Sequence, residues 1–165
     1  RYFVSVNSNS MFKKIPWKKV LSGLLVVFVL IQFKSTDKTN PEVILENDFL
    51  EMADAPEGVV DLMHAVCYDC HSHSVRYPWY AGIAPVSWWI KGHVDHGLAK
   101  ANYADWNAYT KVEKDSILTG SSRFVGLKWM PIITYKINHS EARLSLEQRE
   151  MLISFFDSEK AKLYE

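Results

Sequence analysis

The sequence predicts a mostly α-helical domain carried behind an N-terminal apolar helix. Three observations lead there. Val20 to Phe33 is apolar except for Ser22, Gly23 and Gln32. Further on, apolar residues recur at helical spacing beside helix-start signals. Pro56 precedes Val59, Val60, Met63 and Val66, and Ser145-x-x-Gln148 precedes Leu152, Phe155 and Phe156. Finally, no stretch alternates apolar and polar residues for long enough to argue a sheet.

Residues 1–14 read as a cytoplasmic tail. The first ten precede Met11, and Met11-Phe12-Lys13-Lys14 looks like a natural start, so 1–10 read as upstream translation. Residues 15–33 read as a transmembrane signal anchor. A spanning helix needs about 20 mostly apolar residues, which Ile15 to Phe33 nearly supplies if Lys18 and Lys19 snorkel to the interface. No small-x-small cleavage site and no cysteine follows the run, which ends Ile31-Gln32-Phe33-Lys34. That favours an uncleaved anchor over a cleaved signal peptide or a lipoprotein.

Charge gives the orientation. Residues 1–33 hold Arg1, Lys13, Lys14, Lys18 and Lys19 and no acid, or +5. The whole chain has 19 basic and 19 acidic residues, so the remainder holds 14 and 19, or −5. The positive-inside bias keeps the lysines in the cytoplasm. The expected location is the inner membrane, single-pass, with the C-terminal domain in the periplasm. An acidic exported domain argues against nucleic-acid binding, which wants a basic face.

Residues 34–40, KSTDKTN, read as a polar linker, and 41–165 as one domain of ordinary size. A first helix is expected from Pro56 to Val66, capped by Asp54 or Ala55. Residues 72–92 read as a tight aromatic loop with a short helix at Val86–Lys91. A middle helix is expected around Thr110–Leu118, and Ser121 to Met130 reads as irregular. The last helix is the clearest, with Leu146, Met151, Leu152, Phe155, Phe156 and Leu163 as its apolar stripe. Met151 there reads as packing, and this helix and the first are the expected pair to cross.

Between the first helix and the loop stands Cys67-Tyr68-Asp69-Cys70-His71, or C-x-x-C-H. This is the attachment pattern of c-type haem. Two thiols at this separation suit the two porphyrin vinyl groups, and the histidine that follows suits an axial position on the iron. Both of the chain's cysteines are used here. One such motif implies one covalent haem c. A thioredoxin-like dithiol would want a βαβ context. A zinc site completed by His93 and His96 has its histidines too close together. A disulfide over so short a loop would stabilise little.

Met130-Pro131 stands ahead of the last helix, and Met130 is the candidate sixth ligand. His93, His96 and His139 are its competitors, while His64 and His73 read as surface or hydrogen-bonding residues. His71 should donate its second ring nitrogen to a carbonyl, for which the Ala84–Pro85 region is the expected source. Tyr77, Trp79, Trp88 and Trp89 are expected to wall the haem.

The stretch CYDCHSHSVRYPWYAGIAPVSWWIKGHVDHG, Cys67 to Gly97, resembles the haem-binding domain family of Bacteroidetes-type bacteria. MPIITYKINHSEARLS, Met130 to Ser145, is similar to that family's second block. The resemblance spans roughly residues 41–160. It implies a small cytochrome c-like helical domain on the outer side of the inner membrane. It also implies thioether sites at Cys67 and Cys70, a proximal ligand at His71 and family positions at Met130, Tyr135, His139 and His93. Related sequences approach Met-Pro through a Gly-terminated helix, whereas this chain has GSSRFVGLKW there.

The expected function is single-electron transfer by a membrane-anchored monohaem c-type cytochrome with His/Met-ligated iron. Its partners would be periplasmic redox proteins, met transiently. A haem-based ligand sensor or a peroxidase-like module with an open or displaceable sixth position is the alternative.

Overall fold

The computed structural model describes residues 16–165. The tail expected over 1–14 and the first residue of the expected anchor, Ile15, lie outside the described residues.

The described chain is helical, without a strand among the described residues. Helix α1 spans Trp17–Ile31 and is followed by an extended segment. Then come α2 (Phe49–Met52), α3 (Glu57–Val66), α4 (Tyr68–His71), α5 (Val86–Lys100), α6 (Lys111–Gly126), α7 (Ile133–Asn138) and α8 (Leu146–Lys162). Short 3-10 turns join them at Leu45–Asn47, Trp79–Gly82, Tyr103–Ala108 and Ser140–Ala142.

No described helix is long and apolar enough to cross a membrane. Helix α1 has 15 residues, a rise of about 22 Å. None of its side chains is buried.

The core is built where α6 and α8 pack along one another and α3 crosses α8. Leu118 and Val125 of α6, two turns apart, meet Leu152 and Phe156 of α8. Phe49, Val59, Met63, Tyr103 and Trp106 complete the cluster. Phe49 is its aromatic centre, with Trp106 at 4.5 Å, Tyr103 at 5.4 Å and Phe155 at 5.6 Å between ring centroids. Helices α3 and α8, the pair expected to cross, do touch, but α6 is the main partner of α8.

Several expectations are corrected. Helix α3 begins at Glu57 with Pro56 as its cap, and no side chain caps it. Helix α5 runs to Lys100, well past Lys91; neither Gly92 nor Gly97 has a positive φ, so neither breaks it.

Helix α6 runs to Gly126, so most of 121–130 is ordered helix and turn. Its start is a capping box, with Thr110 N–H donating to Glu113 Oε2 at 2.8 Å and Glu113 N–H to Thr110 Oγ1 at 3.3 Å. Its end is a Schellman turn. Lys128 N–H donates to Val125 O at 3.1 Å and Trp129 N–H to Phe124 O at 3.0 Å. Lys128 takes the left-handed position, φ 60°, where a glycine is usual. The approach to Met130 is therefore helical despite its unusual sequence.

In α8 the box at Ser145 and Gln148 forms as expected. Leu152 and Phe156 are fully buried, but Leu146 is exposed and Met151 is 40% exposed, so those two flank the packed stripe.

Candidate functional site

Helix α3 delivers the chain into Cys67, which ends α3 and starts α4. Cys70 N–H and His71 N–H both donate to Cys67 O, at 3.1 and 3.0 Å. Two thiols and an imidazole thus leave one short helical turn.

The two spacer residues fix that turn in opposite directions. Tyr68 is buried and donates its hydroxyl to Asp48 Oδ1 at 2.7 Å. Asp48 also caps α2 by accepting Leu50 N–H at 2.8 Å. Asp69 is buried too. It accepts Arg76 Nε–H at 2.9 Å, Arg76 Nη2–H at 3.2 Å and the Tyr135 hydroxyl at 2.6 Å. Burial, then the bond to Asp69, raises the Tyr135 hydroxyl pKa, so it stays a donor. The second sequence block, through Tyr135 on α7, is therefore tied to the C-x-x-C-H turn.

His71 Nδ1–H donates to Ala101 O at 2.9 Å. The expected acceptor near Ala84 is wrong because α5 is longer than read. Its C-terminal carbonyls reach the imidazole, and Ala84 O is taken by Gln32 Nε2–H at 3.1 Å. Burial pushes the His71 pKa down, more than the bonds to the Ala101 and Gly97 carbonyls raise it. The ring is held neutral with Nε2 left for a metal.

The close packing of α5 on this turn depends on Gly97. A Cβ there would lie 2.3 Å from Cys70 O and 3.1 Å from Cys70 C. Only a residue without a side chain admits that approach.

Both cysteines are free. Burial, then the neighbouring Cys70, pushes the Cys67 thiol up to about 12. Burial, then Asp69, pushes the Cys70 thiol up to about 11. A redox dithiol needs a shift the other way. Among the described residues no group of three or more His, Cys, Asp or Glu is placed to hold a metal ion. Zinc at Cys67, Cys70, His93 and His96 therefore finds no assembled site.

Beside Cys70 opens a largely apolar cleft of about 560 Å³, its mouth included. Its walls include Tyr77, Trp89, His93, Ile132, Tyr135 and His139. Of the aromatics expected there, Trp79 is 83% exposed and Trp88 donates its indole to Lys34 O, and neither lines the cleft.

The attachment turn fits a covalently held haem, while of its three functional residues only Cys70 lines the cleft, and Cys67 and His71 do not. Two free thiols share one helical turn, a neutral imidazole follows with its Nδ1 already used, and an apolar cleft adjoins the second thiol.

The sixth-ligand candidates are distributed unevenly. His93 lines the cleft, with Nδ1–H donating to Trp89 O at 2.9 Å. His139 also lines it, stacked on Tyr135 at 4.0 Å. His96 is exposed on α5. Met130 is 37% exposed and not among the cleft-lining residues, which resume at Ile132. Its backbone is firmly held. Met130 N–H donates to Phe124 O at 3.1 Å, and Met130 O accepts Arg149 Nη1–H at 3.4 Å. Arg149 is buried and also donates to Val125 O, at the carbonyl end of α6. Of the other histidines, His73 pairs with Asp105 at 3.2 Å, and His64 lies against Tyr68.

Tyr68, Asp69, Gly97 and Arg149 are site-building residues that sequence reasoning missed. The one available signal was their chemistry, since a tyrosine and an aspartate between the cysteines are polar groups that need partners once buried.

Comparison with curated proteins and with solved structures finds no match. The family model described as a haem-binding domain matches residues 26–158. That span takes in the end of α1, the C-x-x-C-H turn, α5 and most of α8. The chain belongs to the haem-binding domain family.

Proposed function

We propose that the chain is a membrane-anchored, periplasmic monohaem c-type cytochrome that passes single electrons. The observation that carries this reading is the α4 turn, where Cys67 and Cys70 stand free beside a neutral His71 oriented by Ala101 O.

In this reading Cys67 and Cys70 would hold one haem c through thioethers, and His71 Nε2 would be an iron ligand. The bound group supplies reversible one-electron exchange at iron. The protein's part is to orient and to shield. Ala101 O fixes the imidazole plane. The Tyr135–Asp69–Arg76 bonds clamp α7 to the attachment turn. Trp89 and Ile132 exclude water from the cleft beside Cys70. Met130, its backbone held by Phe124 O and Arg149, would be the second iron ligand, offered from a loop of restricted freedom.

Placement at the outer face of the inner membrane rests on the basic lead, the apolar α1 and the acidic remainder of the chain. That acidic surface suits redox partners with a basic docking patch, and their association should weaken as salt rises.

One observation favours the second reading, a ligand sensor or a peroxidase-like site. His93 and His139 line the cleft and Met130 does not. A histidine or an exchangeable site on the distal side would follow.

Spectra of the haem-loaded chain separate the two. The electron-carrier reading expects a near-infrared methionine–iron band, no carbon monoxide binding in the ferrous form, and loss of both properties in Met130→Ala. Ready carbon monoxide binding by the unaltered chain would reject it in favour of the second reading.

A further inference from the structure

Residues 34–40 read as a linker, yet the structure fastens them. Gln32, just after α1, pairs its amide both ways with the Ala84 backbone. Nε2–H donates to Ala84 O at 3.1 Å, and Oε1 accepts Ala84 N–H at 2.9 Å. Lys34 O accepts the Trp88 indole N–H at 3.0 Å, and the Lys34 ammonium lies 5.3 Å over the same ring. Lys38 Nζ is 3.7 Å from where a Gly82 Cβ would stand. Asn40 Nδ2–H donates to Val75 O at 2.9 Å. Helix α1 is therefore joined to the domain at a fixed attitude, with no free tether between them.

Close to this joint in sequence the domain exposes large apolar side chains. Trp79 is 83% exposed, Ile83 37% and Val86 41%, all within five residues of Ala84. Phe33, at the end of α1, is 83% exposed. Lys34 lies over Trp88 and Lys38 beside Gly82, with Asp37 exposed between them in the chain.

We infer that this face, Trp79, Ile83, Val86, Lys34 and Lys38, lies in the headgroup region of the membrane that α1 enters. The inference rests on the reading of α1 as an anchor. Three arguments favour lipid as the occupant. First, the patch continues an apolar helix whose described surface has no protein cover. Second, α1 rises about 22 Å against a hydrocarbon core of about 30 Å. A short span draws its flanking residues into the interface, and here those residues are bolted to the domain. Third, tryptophan with lysine is the side-chain chemistry of a membrane–water interface: the indole is amphipathic and the ammonium meets anionic headgroups. The domain would thus stand at a fixed height and tilt above the bilayer.

Hydroxyl-radical footprinting of the haem-loaded full chain tests this, in vesicles of phosphatidylethanolamine and phosphatidylglycerol. Trp129, 63% exposed on the turn before α7, serves as the internal reference. The inference expects Trp79 to be oxidised several-fold less than Trp129 although the structure exposes it more. It expects Gln32→Ala to raise Trp79 oxidation while the chain still floats with the vesicles. Equal oxidation of Trp79 and Trp129 in a floating chain overturns the inference and leaves the anchor intact. Failure to float overturns both. Protection that vanishes as the chain is diluted into excess lipid overturns it in favour of a second copy as the cover. Protection unchanged in Gln32→Ala overturns the joint as the cause.

Discussion

Two glycines on α5 offer a controlled test of how the attachment turn is positioned. At Gly97 an added Cβ meets Cys70 O at 2.3 Å, whereas at Gly92 nothing lies within 4 Å. Carbon and oxygen prefer a separation near ~3.3 Å, so Gly97→Ala must move α5 and the turn apart by about 1 Å. The obstacle is backbone, so no rotamer change relieves it. Overpacking costs about 1–3 kcal/mol, and the upper end applies here. Alanine returns about 1 kcal/mol of helix propensity over glycine, leaving a net loss near 2 kcal/mol. Gly92→Ala has the propensity gain without the clash and should stabilise by up to about 1 kcal/mol.

The shift at Gly97 also reaches the imidazole. Ala101 N–H is bonded to Gly97 O, and Ala101 O orients His71. A displacement of about 1 Å would stretch the 2.9 Å bond to His71 beyond hydrogen-bonding range. Urea denaturation of the haem-free chain measures the stabilities, and the spectrum and reduction potential of the loaded chain report the imidazole. The reasoning expects the two variants to differ by about 3 kcal/mol, with a changed potential only in Gly97→Ala. Stabilities within about 0.5 kcal/mol of each other would refute it.

Further outcomes follow from the same geometry. Tyr135→Phe removes a bond to a buried carboxylate, so denaturation should show a loss of about 1.5–3 kcal/mol. The loaded variant should also change its potential, because α7 is no longer clamped to the turn. Arg149→Met removes a charged donor from Val125 O, which keeps its bond from Lys128 N–H, and from Met130 O; losing a hydrogen bond to a charged group costs about 1.5–3 kcal/mol, and carbon monoxide should then reach the ferrous iron more readily. Lys128→Gly relieves the left-handed backbone and should stabilise by about 1 kcal/mol, read as a higher midpoint. In the haem-free chain the thiols at about 11 and 12 are protonated at neutral pH. Iodoacetamide should label them on the order of a hundredfold more slowly than a free cysteine of pKa ~8.5. Because folding raises these pKa values, the unfolded chain releases its thiol protons first. Haem-free stability should therefore fall as pH rises from about 8.5, with a flatter profile in the Cys67→Ser, Cys70→Ser variant.

The parts legible in the sequence were those written in local chemistry. C-x-x-C-H, the box at Ser145 and the apolar face of α3 each lie within a few neighbouring residues. What stayed hidden depends on distant partners. Gly97 drew no role in the sequence because its reason, the Cys70 carbonyl, lies 27 residues earlier. Helix α6 read short because Ser121, Ser122 and Gly126 are poor helix formers. Packing of Val125 on α8 and the Arg149 guanidinium at its carbonyl end carry it onward. Lys128 hid the Schellman turn by standing where glycine is the usual signal. The expected carbonyl for His71 followed the nearest loop, when the end of a longer α5 supplied it.

The central claim is a haem held covalently by Cys67 and Cys70 with His71 on the iron. Its most direct test is the chain coexpressed with a c-type maturation system, denatured, extracted with acidified acetone and weighed intact. The account predicts one haem per chain that survives extraction and gives a thioether-type pyridine haemochrome. Cys67→Ser, Cys70→Ser should abolish this, and His71→Ala should lose the low-spin spectrum. A chain at its bare polypeptide mass, or a haem that the acetone removes, would contradict the account.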